Sequence, residues 1–301
     1  MIHTADEQTA LAALEERIKT LLPNTYQECY EEVQPVSMGS AKLKYGPDGK
    51  VAWNEIWGSF CDLAMAGGPP HKGTLLEPGT AEAIEAEPEK YGDAAEEICR
   101  GLRLVTSLAA EVSERLGWAR LTCEDEKMAA WLLRAIPMEN VSARAEGRDL
   151  LLPVGPAYRV EKEIKNVITS TAKTCHYWVE HTWPAQARAI GALFDTMAET
   201  LPLVEPGAGG EAERMALGAR IGALTGLKAT AHGYRGWLGV ECPTVAAAVW
   251  MMRALVASNV LARREGTALF VPIHAGTDPG GGIVAGRVAQ IYGFAARLGR
   301  V

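Results

Sequence analysis

Apolar positions recur along this chain with two periods, 3.6 and 2, and the switches between them fall at matching places in two blocks. Residues 117–153 read GWARLTCEDEKMAAWLLRAIPMENVSARAEGRDLLLP, and residues 236–272 read GWLGVECPTVAAAVWMMRALVASNVLARREGTALFVP. Each block opens on a short strand, Trp118–Cys123 or Trp237–Cys242. A helix follows, with Asp125 or Thr244 near its start and, in the first block, acids near a dipole that favours them. Met128, Trp131, Leu132 and Ala135 fall at helical spacing. A hairpin comes next. Its arms are VSARAEG and DLLLP, or VLARREG and ALFVP, around Gly147 or Gly266. The second arm is continuously apolar, which predicts burial on both faces.

The blocks align without a gap at a constant offset of 119, from Trp118 and Trp237 through Cys123 and Cys242 to Pro153 and Pro272. The shared R-x-E-G turn and the paired tryptophans point to internal duplication. Helix-like segments flank both blocks: GDAAEEICRGLRLVTSLAAEV and GEAERMALGARIGALTGL upstream, VEKEIKNVITSTAKTCHYW and GGIVAGRVAQIYGFAARL downstream. The expected fold is α+β: an internally duplicated α-β-α-ββ-α unit, pseudo-twofold, with small, mostly antiparallel sheets packed with helices.

Ahead of the first block, MIHTADEQTALAALEERIKTLLP predicts an amphipathic helix capped by Thr4, with a Leu11, Leu14, Ile18, Leu21 stripe and a stop at Pro23. AKLKYGPDGKVAW predicts a hairpin turning at GPDG, and WNEIWGSFCDLAMA a helix. The loops at 66–80 and 201–210 share L-x-E-P-G. The expected divisions are an N-terminal helical segment (1–36), a first half holding the hairpin and first block (37–160), and a second half (161–301).

Composition narrows the class of partner. Of 301 residues, 48% are apolar, enough for a large core, and the net charge is −7 with no Lys/Arg run beyond pairs. Nucleic acid is not the expected main partner. The six cysteines are dispersed with no C-x-x-C, which predicts buried reduced thiols rather than a disulfide frame or zinc knuckle. No signal-peptide pattern opens the chain, and Arg253 interrupts its most apolar stretch. A soluble cytoplasmic protein with no membrane partner is expected, and self-association into a homo-oligomer is left open.

Candidate chemistry gathers in loops. In GGPPHKGT, Gly67–Thr74, glycines and prolines fix a turn that offers His71, Lys72, Gly73 and Thr74 to a phosphate or carboxylate; the alternative is an ordinary surface turn. In HAGTDPGGGIVAGR, His274 and the Gly280, Gly281 and Gly282 run open into a helix whose first amides suit an anion, unless Thr277 or Asp278 caps them. The matching place in the first half, VGPAYRVEKEI, offers Tyr158 and Arg159 instead.

His176 and Glu180 share a helix face, with His181 on another, which is too few ligands for a metal to be expected. Cys123 and Cys242 are paired nucleophiles or, with more reason, core thiols. Arg144/Glu146 and Arg263/Glu265 predict solvated or cross-strand ion pairs. Arg134 and Arg253, mid-helix among apolar residues, need a core carboxylate or an anionic ligand.

No H-E-x-x-H, G-x-S-x-G or phosphate-binding P-loop pattern occurs. The expectation is an enzyme of small-molecule metabolism that binds an anionic substrate or cofactor between the halves, its cofactor and reaction unassigned. The alternative is a non-enzymatic cofactor-binding, maturation or accessory subunit protein, with the Trp/Met-rich helix 244–257 as its interface.

Overall fold

The computed structural model describes residues 5–27, 42–56 and 63–301. The chain forms two compact units: a central unit, Glu32–Trp183, and an outer unit that joins Met1–Glu31 to Pro184–Val301. The helix that ends at His181 packs on the central unit's own helices.

Helix α1 (Ala5–Leu21) buries Leu14, Ile18 and Leu21, and the short α2 (Asn24–Gln27) follows Pro23. The hairpin expected over 41–53 is reduced to one bridge, Tyr45 to Val51, closed by the Gly46 amide on Lys50 O at 2.8 Å. Of the helix expected over 53–66, two three-residue turns stand, Trp53–Glu55 and Ala64–Ala66; residues 57–62 lie outside the described residues.

The central unit continues with α3 (Ala81–Ala86), α4 (Pro88–Thr106), β1 (Ala109–Val112), β2 (Trp118–Thr122), α5 (Glu126–Met138), β3 (Arg144–Glu146) and β4 (Asp149–Pro153). A single π turn, Val160–Ile164, leads into α6 (Lys165–His181). The sheet order is β1-β2-β4-β3, antiparallel throughout. One expectation fails here. Residues 92–112 read as a single helix, yet α4 stops at Thr106. Ser107 takes a left-handed conformation, and residues 109–112 pair with β2, Ala109 opposite Thr122. Covering the open edge of β2 outweighs the helical propensity of LAAEV.

The outer unit then runs α7 (Pro184–Thr200), α8 (Glu211–Thr225), β5 (Trp237–Glu241), α9 (Val245–Val256), β6 (Arg263–Glu265), β7 (Ala268–Pro272) and α10 (Gly282–Arg297), with sheet order β5-β7-β6. The second hairpin arms are buried as expected: Leu150–Pro153 in one sheet, all of β7 in the other. The architecture is α+β, helices packed with small antiparallel sheets.

The two blocks adopt the same elements in the same register. Trp118 lies opposite Pro153, and Trp237 opposite Pro272. Asp125 accepts from the Met128 amide at 2.8 Å and Thr244 from the Ala247 amide at 3.0 Å, so each helix has its cap. After α5 and α9 the chain turns through left-handed Asn140 and Asn259. Their side-chain amides donate to Lys72 O and Leu201 O, at 2.8 and 2.7 Å. Each asparagine thereby ties down the loop that carries L-x-E-P-G, and Leu76 and Val204 then bridge Val141 and Val260.

Met251 and Met252 are wholly buried within the outer unit, so the Trp/Met-rich helix is core, not an exposed interface. Arg263 is also buried rather than solvated. It lies over Phe270 and Tyr234, at 4.0 and 4.3 Å from their ring centres, and pairs with Glu265 at 2.7 Å. Among the described residues no helix is long and apolar enough to cross a membrane.

Candidate functional site

A buried polar cluster forms where the 67–74 loop meets the end of α5 and the face of α6, all within the central unit. Pro137 closes the last turn of α5, and Glu139 follows with its side chain turned inward, fully buried. Its carboxylate accepts from the Ala64 amide at 2.9 Å, the His71 amide at 3.0 Å and the Lys173 ammonium at 2.7 Å. Lys173, on α6, is 2% exposed. Two charges taken out of water carry a large desolvation cost, which only close pairing and further hydrogen bonds offset. Here both loop amides complete the carboxylate's bonding.

His71 lies beside this pair. Its Nε2 is 2.6 Å from Thr169 Oγ1, and the Thr169 hydroxyl is 2.7 Å from Lys165 O on the preceding helical turn. A hydroxyl has one proton. If Thr169 gives it to Lys165 O, as helical threonines do, its oxygen must accept from His71, which assigns the ring proton to Nε2. His71 Nδ1 is then a bare lone pair, shut from solvent and without a partner among the described residues.

Burial first, then the charges of Lys173 and Lys165, push the His71 pKa down to about 3. The imidazole is neutral at any physiological pH. Because the folded value is depressed, the unfolded chain binds a proton that the folded chain does not. The His71 contribution is therefore complete above about pH 6.5 and is lost as pH falls from there toward 3. Replacing His71 with Gln is expected to flatten the acid limb of stability over that window. Urea titrations at about pH 7 and about pH 4.5 check this, and parallel losses in both proteins would refute it.

The other sequence candidates are placed as follows. Lys72 is half-buried, its main chain bonded to Glu139 O and Asn140; Gly73 and Thr74 are exposed. Tyr158 donates its hydroxyl to Glu77 O at 2.7 Å, and burial raises its pKa far above the usual phenol range. Arg159 is exposed and pairs with Glu163 at 3.1 Å.

His274 belongs to the outer unit. Its ring leans on Gly207, where any Cβ would collide with it, and its Nδ1 accepts from the Thr277 amide at 2.9 Å. Gly280 and Gly281 take left-handed conformations, and Gly282 begins α10. The first amides of that helix are already engaged. Asp278 accepts from Ile283 and Val284, both at 2.9 Å, so an external anion would have to displace it. The adjoining space of about 10 Å³ has room for no more than a water.

Burial pushes the Cys99 thiol up to about 11 and those of Cys123 and Cys242 to about 12, and raises that of Cys175 as well. These four thiols stay protonated and serve the core. Cys29 and Cys61 lie outside the described residues. The His176 and His181 rings meet at 5.1 Å although their spacing puts them on different faces. Among the described residues no three His, Cys, Asp or Glu side chains gather as metal ligands.

His71 and Lys72 are legible as candidates in the sequence, but Glu139, Thr169 and Lys173 are not. One signal is available. Glu139 stands in the first block where Ser258 stands in the second, an exchange of charge for hydroxyl just before the repeated asparagine. Compared with known protein families, with curated proteins and with solved structures, the chain matches none.

Proposed function

We propose that the central unit binds a small molecule that bears a phosphate or carboxylate and, next to it, a hydroxyl or N–H. The anionic group would lie by the 71–74 loop, where Lys72 and Thr74 offer a cation and a hydroxyl, and the donor would meet His71 Nδ1. The observation that carries this is that buried nitrogen. An unsatisfied buried acceptor costs about 1–3 kcal/mol, and a protein that keeps one has a reason to. The positive charge of Lys165, felt at His71, favours the anionic group of such a ligand.

We also infer that the two blocks descend from one duplicated unit. Their shared caps, left-handed asparagines and strand registers support it. On that view the scaffold is common and the Glu139–Lys173–His71 cluster is an addition in one half.

The test follows the ring nitrogens of His71 by NMR while glycerol phosphate is added to the full chain, with inorganic phosphate for comparison. The Nδ1 resonance is expected to move on addition of glycerol phosphate and much less with phosphate alone. Replacing His71 and Lys72 together by Ala should weaken binding at least tenfold. An unmoved Nδ1 resonance at saturating ligand, or unchanged affinity in the double variant, would overturn the assignment.

A further inference from the structure

The outer unit holds a second site of a different kind. A cavity of about 430 Å³ opens between α1, α7, the end of α9 and α10, and a smaller space of about 100 Å³ continues it. Arg17 of α1 and Arg287 of α10 line both, as does Ser258. The body of the cavity is apolar, walled by Leu14, Leu193, Ile291 and Phe294. Among the described residues no Asp or Glu lines either space.

Two arginines on one cavity need a counter-charge, and among the described residues neither has an ion pair. Arg17 Nε is shut from solvent and has no hydrogen-bond partner among them. Arg287 donates to Gln290 at 2.9 Å. Burial and the neighbouring Arg287 both act to lower the Arg17 pKa. A guanidinium remains charged regardless, and an anion between the two would relieve their repulsion.

The other block shows where such an anion fits. Ser258 occupies the place that Glu139 takes 119 residues earlier, each directly before a left-handed asparagine. In the central unit a built-in carboxylate fills that place and meets Lys173 from the helix packed on α5. In the outer unit the side chain is a short hydroxyl, and Arg287 stands on the helix packed on α9. The acid that one half carries in its own chain is missing from the other, and a cavity opens there instead.

We propose that this cavity binds an amphiphilic anion, an apolar body of small-molecule size ending in a carboxylate or phosphate. Arg17 and Arg287 clamp the acid beside Ser258. The hydrocarbon lies against Leu193, Ile291 and Phe294. The volume lies within the range of small-ligand sites, and paired guanidiniums suit the flat, forked geometry of either acid.

Calorimetry on the full chain with octanoate, octyl phosphate, octylamine and inorganic phosphate tests this. At least one of the two tailed acids is expected to bind. The amine should not, and phosphate without a tail should bind at least tenfold more weakly. Which acid is preferred identifies the head group.

Arg17→Gln and Arg287→Gln should each weaken binding at least tenfold. Ser258→Glu should supply the missing carboxylate internally, raising the melting temperature of the ligand-free protein and abolishing binding of the tailed acids. If Ser258→Glu does not fold, the two arginine variants decide alone. Failure of both acids to bind, binding of the amine as tight as theirs, or full affinity in both arginine variants would overturn the proposal. Binding that survives the His71/Lys72 double variant but not Arg17→Gln belongs to this cavity, so the two sites stand or fall separately.

Discussion

Glu139→Leu is expected to destabilise the protein by about 3–5 kcal/mol, the usual cost of leaving one partner of a buried ion pair alone. The substitution strips three donors at once. The Lys173 ammonium, 2% exposed, loses its carboxylate, and the Ala64 and His71 amides lose their acceptor. Lys173→Met should cost less, because Glu139 then keeps both amides and only its charge is uncompensated.

The double variant Glu139→Leu, Lys173→Met is expected to be more stable than Glu139→Leu alone. Neither buried charge of the pair remains, although the two loop amides still lack an acceptor. Urea denaturation of the four proteins gives the coupling directly. A cost below about 1 kcal/mol for Glu139→Leu, or a double variant no better than the sum of the singles, would mean that the pair does not hold the loop. The same series reads on the proposed site, because Glu139 fixes the backbone of His71.

Much of the scaffold is legible in the sequence for a local reason. The helix starts near Asp125 and Thr244, the stripe of α1, and the apolar arms β4 and β7 each follow from neighbours within a few residues. What fails is decided by partners outside the segment itself. Residues 109–112 leave the helix because β2 offers an edge. Arg263 reads as half of a solvated or cross-strand ion pair; it does pair with Glu265, but within its own strand, and Tyr234, Trp237 and Phe270 enclose it.

The candidate site divides in the same way. The Gly/Pro loop announces His71 and Lys72 by composition. Lys173 sits in a helix stretch of small hydroxyl residues, Thr169, Ser170, Thr171 and Thr174, with nothing nearby in sequence to mark it, since Glu139 is 34 residues away. The glycine run at 280–282 does announce a helix start, but Asp278, two residues before Gly280, already satisfies its amides as a cap.

The residues the blocks share should fail by a shared mechanism. Gly117 and Gly236 open β2 and β5 in left-handed conformations, φ +85 and +75. Each carbonyl accepts from the far end of the hairpin, Val154 N at 2.8 Å and Ile273 N at 2.7 Å. Each Cα also lies against the proline-glycine corner of its own loop. A Cβ on Gly117 would come to 2.9 Å from Gly79 O and 3.0 Å from Pro78 Cβ; on Gly236, to 2.9 Å from Gly207 O and 3.1 Å from Pro206 Cβ.

Backbone oxygen cannot rotate away as a side chain does. Gly117→Ala and Gly236→Ala are therefore each expected to cost about 2–4 kcal/mol, a left-handed penalty of about 1–2 plus strain of similar size. Gly226 is the control. It is left-handed too, φ +78, but a Cβ there would meet nothing within 4 Å, so Gly226→Ala should cost only the left-handed penalty. Denaturant titrations of the three variants separate backbone strain from collision. If Gly117→Ala and Gly236→Ala cost no more than Gly226→Ala, the corner has slack, and the tight packing of L-x-E-P-G against both strands is not what positions the loops that carry His71 and His274.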